Sequence, residues 1–543
     1  MQEALQARLI MKKRFLLSVA AACAALSMNA QGTFDNPILP GFHPDPSICR
    51  VGEDFYLVTS SFEWYPGIPI FHSRDLMNWE QLGHVLTRPS QLAMKEGLRP
   101  SQGLWAPTIR FHDGTYYVIC TAQGAGGTFY VTAEKPEGPW SEPVFLKDAP
   151  GIDPSLFFDD DGKCWYTGTV NDTPDIDRYL HEDRVYVQEL DLDSGRLVGD
   201  RVTICTGHAV NAPYAEAPHI YKIDGLYYLV IAEGGTWEDH AVTVFTSKNV
   251  TGPYTAGIAN PVLTHRFLGK NTDITTIGHA DLVQDSRGKW WAVMLGVRPV
   301  GGYNMLGRES FITPVEFQDG WPVFNPGIGR VLMKEKDTGL EPCRFAPQSP
   351  RDDFNGPELA FCWNFLRTPF TKWYQLKNGE LQIDLRKESV SELVNPSLIA
   401  RRVDRVEYSA MTEMDFKPAQ DGEEAGMIIL QNAYNHYRLV KEQKNGEKRI
   451  VLYKTAGRKT EEVCAIRSNS RTVCLKVVSK GLECWFYAGD DALHLQAMGA
   501  VQDASINSSQ KAGGFTGPFI GMYASSNGKE SSNHADFEYF EYR

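Results

Sequence analysis

The chain lacks a positive charge balance, paired cysteines, a membrane-length apolar run and helical periodicity, and each absence narrows what it does. Its 543 residues carry 54 Lys and Arg against 67 Asp and Glu, a formal charge of −13. The first 30 residues hold +3, so the remainder carries −16. An acidic body makes nucleic acid and anionic membrane poor partners, because both would be approached against like charge. The ten cysteines include no C-x-x-C pair, which removes the common zinc-ribbon and dithiol redox motifs. Cys49, Cys120 and Cys164 fall in strand-like runs and read as small buried hydrophobes. Cys474 and Cys484 flank the Lys480-Gly481 turn, where buried thiols are favoured over a cross-strand disulfide. The apolar stretch Phe15 to Leu26 is too short to span a bilayer. With Lys12-Lys13-Arg14 before it and Met28-Asn29-Ala30 after it, this stretch reads as a secretory signal starting at Met11. Export to the periplasm or the medium is the expected destination.

What is present is aromatic and repetitive. Phe, Trp and Tyr make up 11 % of the chain, a content that leans toward β-structure and sugar binding. One phrase recurs five times: a small or acidic residue, usually a proline, then a hairpin ending in paired aromatics. The copies run from Asp45-Pro46-Ser47-Ile48 to Phe55-Tyr56 and from Ala106-Pro107-Thr108-Ile109 to Tyr116-Tyr117. They continue from Asp153-Pro154-Ser155-Leu156 to Trp165-Tyr166 and from Ala217-Pro218-His219-Ile220 to Tyr227-Tyr228. The fifth runs from Ala280-Asp281-Leu282-Val283 to Trp290-Trp291. Turns such as Asp113-Gly114 and Asp224-Gly225 inside the copies are strong hairpin signals.

Spacings of 47 to 64 residues leave room for about four strands per copy, and no helical stretch separates them. This pattern predicts a five-bladed β-propeller, with a degenerate count of four or six blades as the alternative. In a propeller the first strand of each blade lines the axis, so its entry residues ring one mouth of the channel. The turn-rich zone from Pro314 to Pro350 ends the repeat, and alternating strands joined by Asn378-Gly379 and Asn445-Gly446 turns follow. The expected division is a signal peptide at 1–30, a propeller at 31–335, a linker at 336–349 and a β-sandwich at 350–543.

Asp45 and Asp153 open their copies, and Glu216 stands one residue before Ala217. Trp105 and His279 precede Ala106 and Ala280 and read as the counterparts of Glu216. Three carboxylates, an indole and an imidazole are thus expected at one mouth, although an Asp in an Asp-Pro-Ser turn also serves to cap a strand entry. Carboxylates in an aromatic-walled pocket suit glycoside hydrolysis: one acid protonates the leaving oxygen while another carboxylate activates water or attacks carbon. Trp64, Tyr65 and Trp105 are candidate sugar-stacking walls. Gly124-Ala125-Gly126-Gly127 and Asp159-Asp160-Asp161-Gly162 read as hairpin turns, since neither has the context of a phosphate or calcium loop.

The run Asn36-Pro37-Ile38-Leu39-Pro40-Gly41-Phe42-His43-Pro44-Asp45-Pro46-Ser47 and the later Ser61-Phe62-Glu63-Trp64-Tyr65-Pro66-Gly67 resemble glycoside hydrolase family 43, and within it the two-domain β-xylosidases. Leu104-Trp105-Ala106-Pro107, Ala215-Glu216-Ala217-Pro218-His219, Leu306-Gly307-Arg308-Glu309 and Gly514-Phe515-Thr516-Gly517-Pro518-Phe519 extend the likeness over nearly the whole chain after residue 30. The resemblance implies an all-β protein, a five-bladed propeller followed by a concanavalin-A-like sandwich, acting by an inverting mechanism. It implies Asp45 as general base, Glu216 as general acid, and Asp153 as the group that raises and orients that acid. Arg308 would hydrogen-bond substrate hydroxyls or hold an acidic neighbour in a salt bridge. Phe515, with Phe519 as the competing choice, would tip a sandwich loop that closes the pocket. No cofactor is required; a structural calcium ion in the channel near His279 is the one metal the resemblance admits.

Expected substrates are xylo- or arabinoxylo-oligosaccharides, attacked from the end. The first expectation is release of terminal β-D-xylose; α-L-arabinofuranosidase or dual activity stands beside it, and a non-catalytic sugar-binding propeller is the reading from another class. The polar stretch from Asn171 to Asp183 matches no motif and is expected to be a loop on the propeller face.

Overall fold

A computed structural model describes residues 32–171, 183–209, 213–269 and 271–543. The expected signal segment and most of the stretch from Asn171 to Asp183 lie outside the described residues. Among the described residues the only helical pieces are Ala504–Asn507 and Ser509–Ala512.

Five antiparallel sheets carry the repeat, one per copy. The first blade orders Ser47–Val51, Asp54–Val58, Gly67–Ser73 and Glu80–Leu86. The second orders Gly103–His112, Thr115–Gln123, Gly127–Ala133 and Val144–Phe145. The third, fourth and fifth open with Ile152–Phe158, Glu216–Ile223 and Thr275–Gln284. Each blade starts as a hairpin because its turn chemistry is local: Asp113 and Gly114, for example, hold φ of 45° and 78°, the double positive φ of a type I′ turn. The aromatic pairs sit on the second strands, where period-2 alternation sends successive rings to opposite blade faces. At least one ring of each pair is buried, and rings of neighbouring blades meet, as in the edge-to-face contact of Tyr56 with Tyr116 at 5.3 Å. First strands contact one another around the ring, the fifth closing on the first. Thr33–Asp35 pairs with Lys334–Lys336, and Asn36 bonds through its side-chain amide to Ile312 and Leu332 carbonyls, both at 2.9 Å. These bonds fasten the start of the described chain to its fifth blade.

The C-terminal half is two packed sheets. One holds six strands, from Ser397–Arg402 to Lys459–Arg467; the other is built around Tyr408–Asp415, Thr472–Lys480 and His534–Tyr542. In that second sheet Cys474 faces Gly489 and Cys484 faces Ser479, so the two thiols are not partners. All nine cysteines of the described residues are free.

The two halves share a backbone ladder, since Phe365–Leu366 pairs with Trp64–Tyr65. Trp64 is 1 % exposed and stacks on Phe519 with ring centroids 3.5 Å apart. Tyr65 is likewise buried, its hydroxyl donating to the Thr87 carbonyl. Both therefore depart from the expectation of sugar-stacking walls: their apolar faces are consumed by the contact between propeller and sandwich. Phe519 is buried there too, which leaves Phe515 as the residue presented to the propeller mouth.

Candidate active site

The opening of each blade is built by one device. Asp45, Ala106, Asp153, Ala217 and His279 all hold left-handed φ, between 42° and 55°. In blades two to five this residue and its follower form a bulge, between Trp105 and Thr108, Ile152 and Ser155, Glu216 and His219, and Gly278 and Asp281. A bulge re-aims side chains at the end of a ladder, here toward the axis. The register corrects the expected fifth copy, which begins at His279 and not at Ala280. His279 is the counterpart of Asp45 and Asp153; Gly278 is the counterpart of Glu216 and Trp105. Position 278 is glycine for a steric reason, because an added Cβ would lie 2.5 Å from the His240 ring.

These openings converge on one cavity of about 140 Å³, a volume suited to a single small ring. Asp45, Asp153, Glu216, Trp105, His279, Arg308 and Phe515 line it. Trp64 and Tyr65 do not. Phe62, Tyr214, Trp237 and His240 also line it and were not singled out from the sequence. Phe62 lay within the quoted Ser61 to Gly67 motif; Trp237 was signalled only by the Gly234-Gly235 pair before it, both at positive φ.

Asp45 is almost fully buried and held on three sides. Arg308 donates to its two oxygens at 2.8 and 3.4 Å, Ser60 Oγ donates at 2.6 Å, and His279 Nδ1 stands 3.9 Å away. Ser60 Oγ in turn accepts from the Ala106 N–H at 2.7 Å, tying the first blade's opening to the second's. Such a bidentate, charge-assisted pair fixes carboxylate orientation. Of the two expectations for Arg308, the acidic-neighbour salt bridge is therefore present in the structure.

Glu216 is held well above the usual carboxylate range, first by burial and then by the negative charges of Asp153 and Asp183; the Arg308 guanidinium opposes them. Burial raises Asp153 to about 6. One Asp153 oxygen accepts from the Ala217 N–H at 3.2 Å, so this carboxylate also braces the backbone next to Glu216. His240 is pushed down to about 3 by burial, with Nδ1 3.1 Å from the Thr276 carbonyl. It is a neutral wall at working pH. A carboxyl whose surroundings favour its protonated form and an arginine-bound carboxylate in one cavity form the pair that acid-assisted hydrolysis requires.

Aromatic rings close the mouth. Phe62 lies 5.9 Å from Trp105 and 6.3 Å from Phe515, and Trp105 meets Phe515 edge-on at 5.7 Å. Calcium takes six to eight oxygen ligands. Among the described residues no group of three His, Cys, Asp or Glu side chains is placed to hold a metal. The Asp45 oxygen nearest His279 is already taken by Arg308.

Two family models match the chain: Glycosyl hydrolases family 43 over residues 34–322, and Beta xylosidase C-terminal Concanavalin A-like domain over residues 351–543. A xylosidase/arabinosidase of Butyrivibrio fibrisolvens is 42 % identical over 515 residues, covering 93 % of this chain and 98 % of that protein. A non-reducing end α-L-arabinofuranosidase of Bacteroides ovatus is 38 % identical and covers 98 % of each. Among solved structures, a xylan β-1,4-xylosidase from Bacillus halodurans superposes with a TM-score of 0.88 at 34 % identity, over 94 % of this chain and all of that one.

Proposed function

The chain belongs to glycosyl hydrolase family 43, and on that premise we propose that it releases terminal β-D-xylose from xylo-oligosaccharides with inversion at the anomeric carbon. The observation that carries the reading is the cavity that holds an arginine-bound Asp45 and, with it, a Glu216 whose burial and neighbouring carboxylates favour its protonated form, under an aromatic lid. A space of one ring, closed by Phe515 from the sandwich, favours attack at a chain end over attack within a chain.

The steps follow from the chain's own groups. Asp45, oriented by Arg308, takes a proton from a water that attacks the anomeric carbon. Glu216 gives its proton to the departing glycosidic oxygen. Asp153 keeps Glu216 protonated through its negative charge and holds the neighbouring backbone. Water enters from the face opposite the leaving group, so the sugar leaves with inverted configuration.

A second reading, α-L-arabinofuranosidase or dual activity, is favoured by the names of the two relatives most like this chain among those given above. Comparison of an aryl β-D-xyloside with an aryl α-L-arabinofuranoside separates the two. Asp45→Asn and Glu216→Gln should each lower kcat on the order of 10²-fold or more. Near-normal turnover in either variant overturns its role, and NMR detection of the retained anomer as first product overturns inversion. Absence of turnover on every pentoside would favour the sugar-binding alternative. Export rests on the basic and apolar pattern of residues 12–30; N-terminal sequencing of secreted protein tests it.

A further inference from the structure

Two walls of the cavity come from different halves of the chain, Trp105 from the second blade and Phe515 from the sandwich. One buried residue hydrogen-bonds to both. Ser101 is 6 % exposed and lies just before the first strand of the second blade, in the left-handed region at φ 66°. Its carbonyl accepts from Trp105 Nε1 at 2.9 Å, and its Oγ accepts from the Phe515 N–H at 2.8 Å. Its own N–H donates to Glu63 Oε2 at 2.9 Å. Glu63 is itself buried, and its carbonyl accepts from the Arg367 N–H at 2.8 Å, beside the ladder that joins the two halves.

The fit is tight from the other side. A Cβ on Gly514 would stand 2.3 Å from Ser101 Oγ, so the sandwich loop approaches as closely as it does only with glycine there. Gly514 also holds φ of 80°, where glycine carries no steric penalty.

We propose that Ser101 is the positioning residue that latches Phe515 over the cavity in register with Trp105, and so sets how tightly the terminal sugar is held. It touches no reacting atom. The inference rests on the pentosidase reading above and deepens it: ring contacts made equally in ground and transition states govern KM more than kcat. Glu63 fixes the latch, and the ladder between the halves fixes Glu63.

The test is Ser101→Ala, which removes the hydroxyl and keeps both backbone bonds. KM for the better aryl pentoside should rise about five- to ten-fold, the net worth of one hydrogen bond, with kcat changed less than about three-fold. Gly514→Ala, made in the other half, should reproduce that signature by pushing the loop off Ser101. In a double-mutant cycle, Ser101→Ala should add nothing to Phe515→Ala. Thermal unfolding and circular dichroism establish that each variant is folded. An unchanged KM in folded Ser101→Ala, or additive effects of Ser101→Ala and Phe515→Ala, overturns the latch. An active wild type with those results sinks only this inference, whereas a wild type inactive on every pentoside sinks the reading beneath it.

Discussion

Replacing Arg308 with methionine should move the alkaline limb of the enzyme's pH profile further toward alkali. The side chain donates to Asp45 at 2.8 Å, with 7 % of the arginine and 6 % of the aspartate side chain exposed. Charge centres about 4 Å apart attract by about 4 kcal/mol at an effective permittivity of about 20, so the pair fixes the guanidinium in the cavity wall, where its charge also reaches Glu216. Glu216 works below the pH at which it ionises; burial, Asp153 and Asp183 raise that pH and Arg308 lowers it, so losing the cation moves the alkaline limb up. The assay is kcat/KM on an aryl pentoside across about pH 4 to 9, which reports the free enzyme. Arg308 also lines the cavity, so the amplitude will fall, but limb positions do not depend on amplitude. A folded variant whose alkaline limb stays in place, or moves toward acid, refutes the reasoning.

Asp153→Asn should do the reverse: with the carboxylate charge gone Glu216 ionises more easily, and the alkaline limb of kcat/KM should move toward acid. An alkaline limb that stays put would deny Asp153 its electrostatic part. Trp64→Ala removes a ring buried between the halves and should cost about 3–5 kcal/mol of stability, read as a lower Tm or denaturant midpoint. Trp237 is 47 % exposed at the mouth, so Trp237→Ala should leave Tm within a degree or two and change KM instead. Equal Tm losses in the two tryptophan variants would contradict the division between buried joint and pocket wall.

The propeller was legible because its signals are local. Each turn and each aromatic pair declares a hairpin without reference to distant sequence, and a fivefold recurrence leaves few architectures. Asp45, Asp153 and Glu216 were legible for the same reason, as deviations at a repeated position. The fifth register was misread because Ala280 occupies the place that proline marks in the other copies, so the small residue passed for the start of the phrase. Trp64 and Tyr65 were misplaced because what covers them is Phe519 and the ladder from Phe365 and Leu366, about 300 residues or more away in sequence. Tyr214, Trp237 and His240 come from loops of a single blade and repeat nowhere. Ser101 carries no motif, since its role lies in three hydrogen bonds, one of which only the assembled halves create.

The left-handed residue at every blade opening has a consequence for how such a site changes over time. Outside glycine that conformation costs on the order of 1 kcal/mol, and Ala106 and Ala217 adopt it with no chemistry to perform. The distortion is thus a property of the ring, present whether or not the residue reacts. Asp45, Asp153 and His279 display their groups from sockets the scaffold would have built anyway. Five equivalent sockets around one axis let an acid, a base or an inert methyl be exchanged by side-chain replacement alone, without redrawing the backbone that aims it.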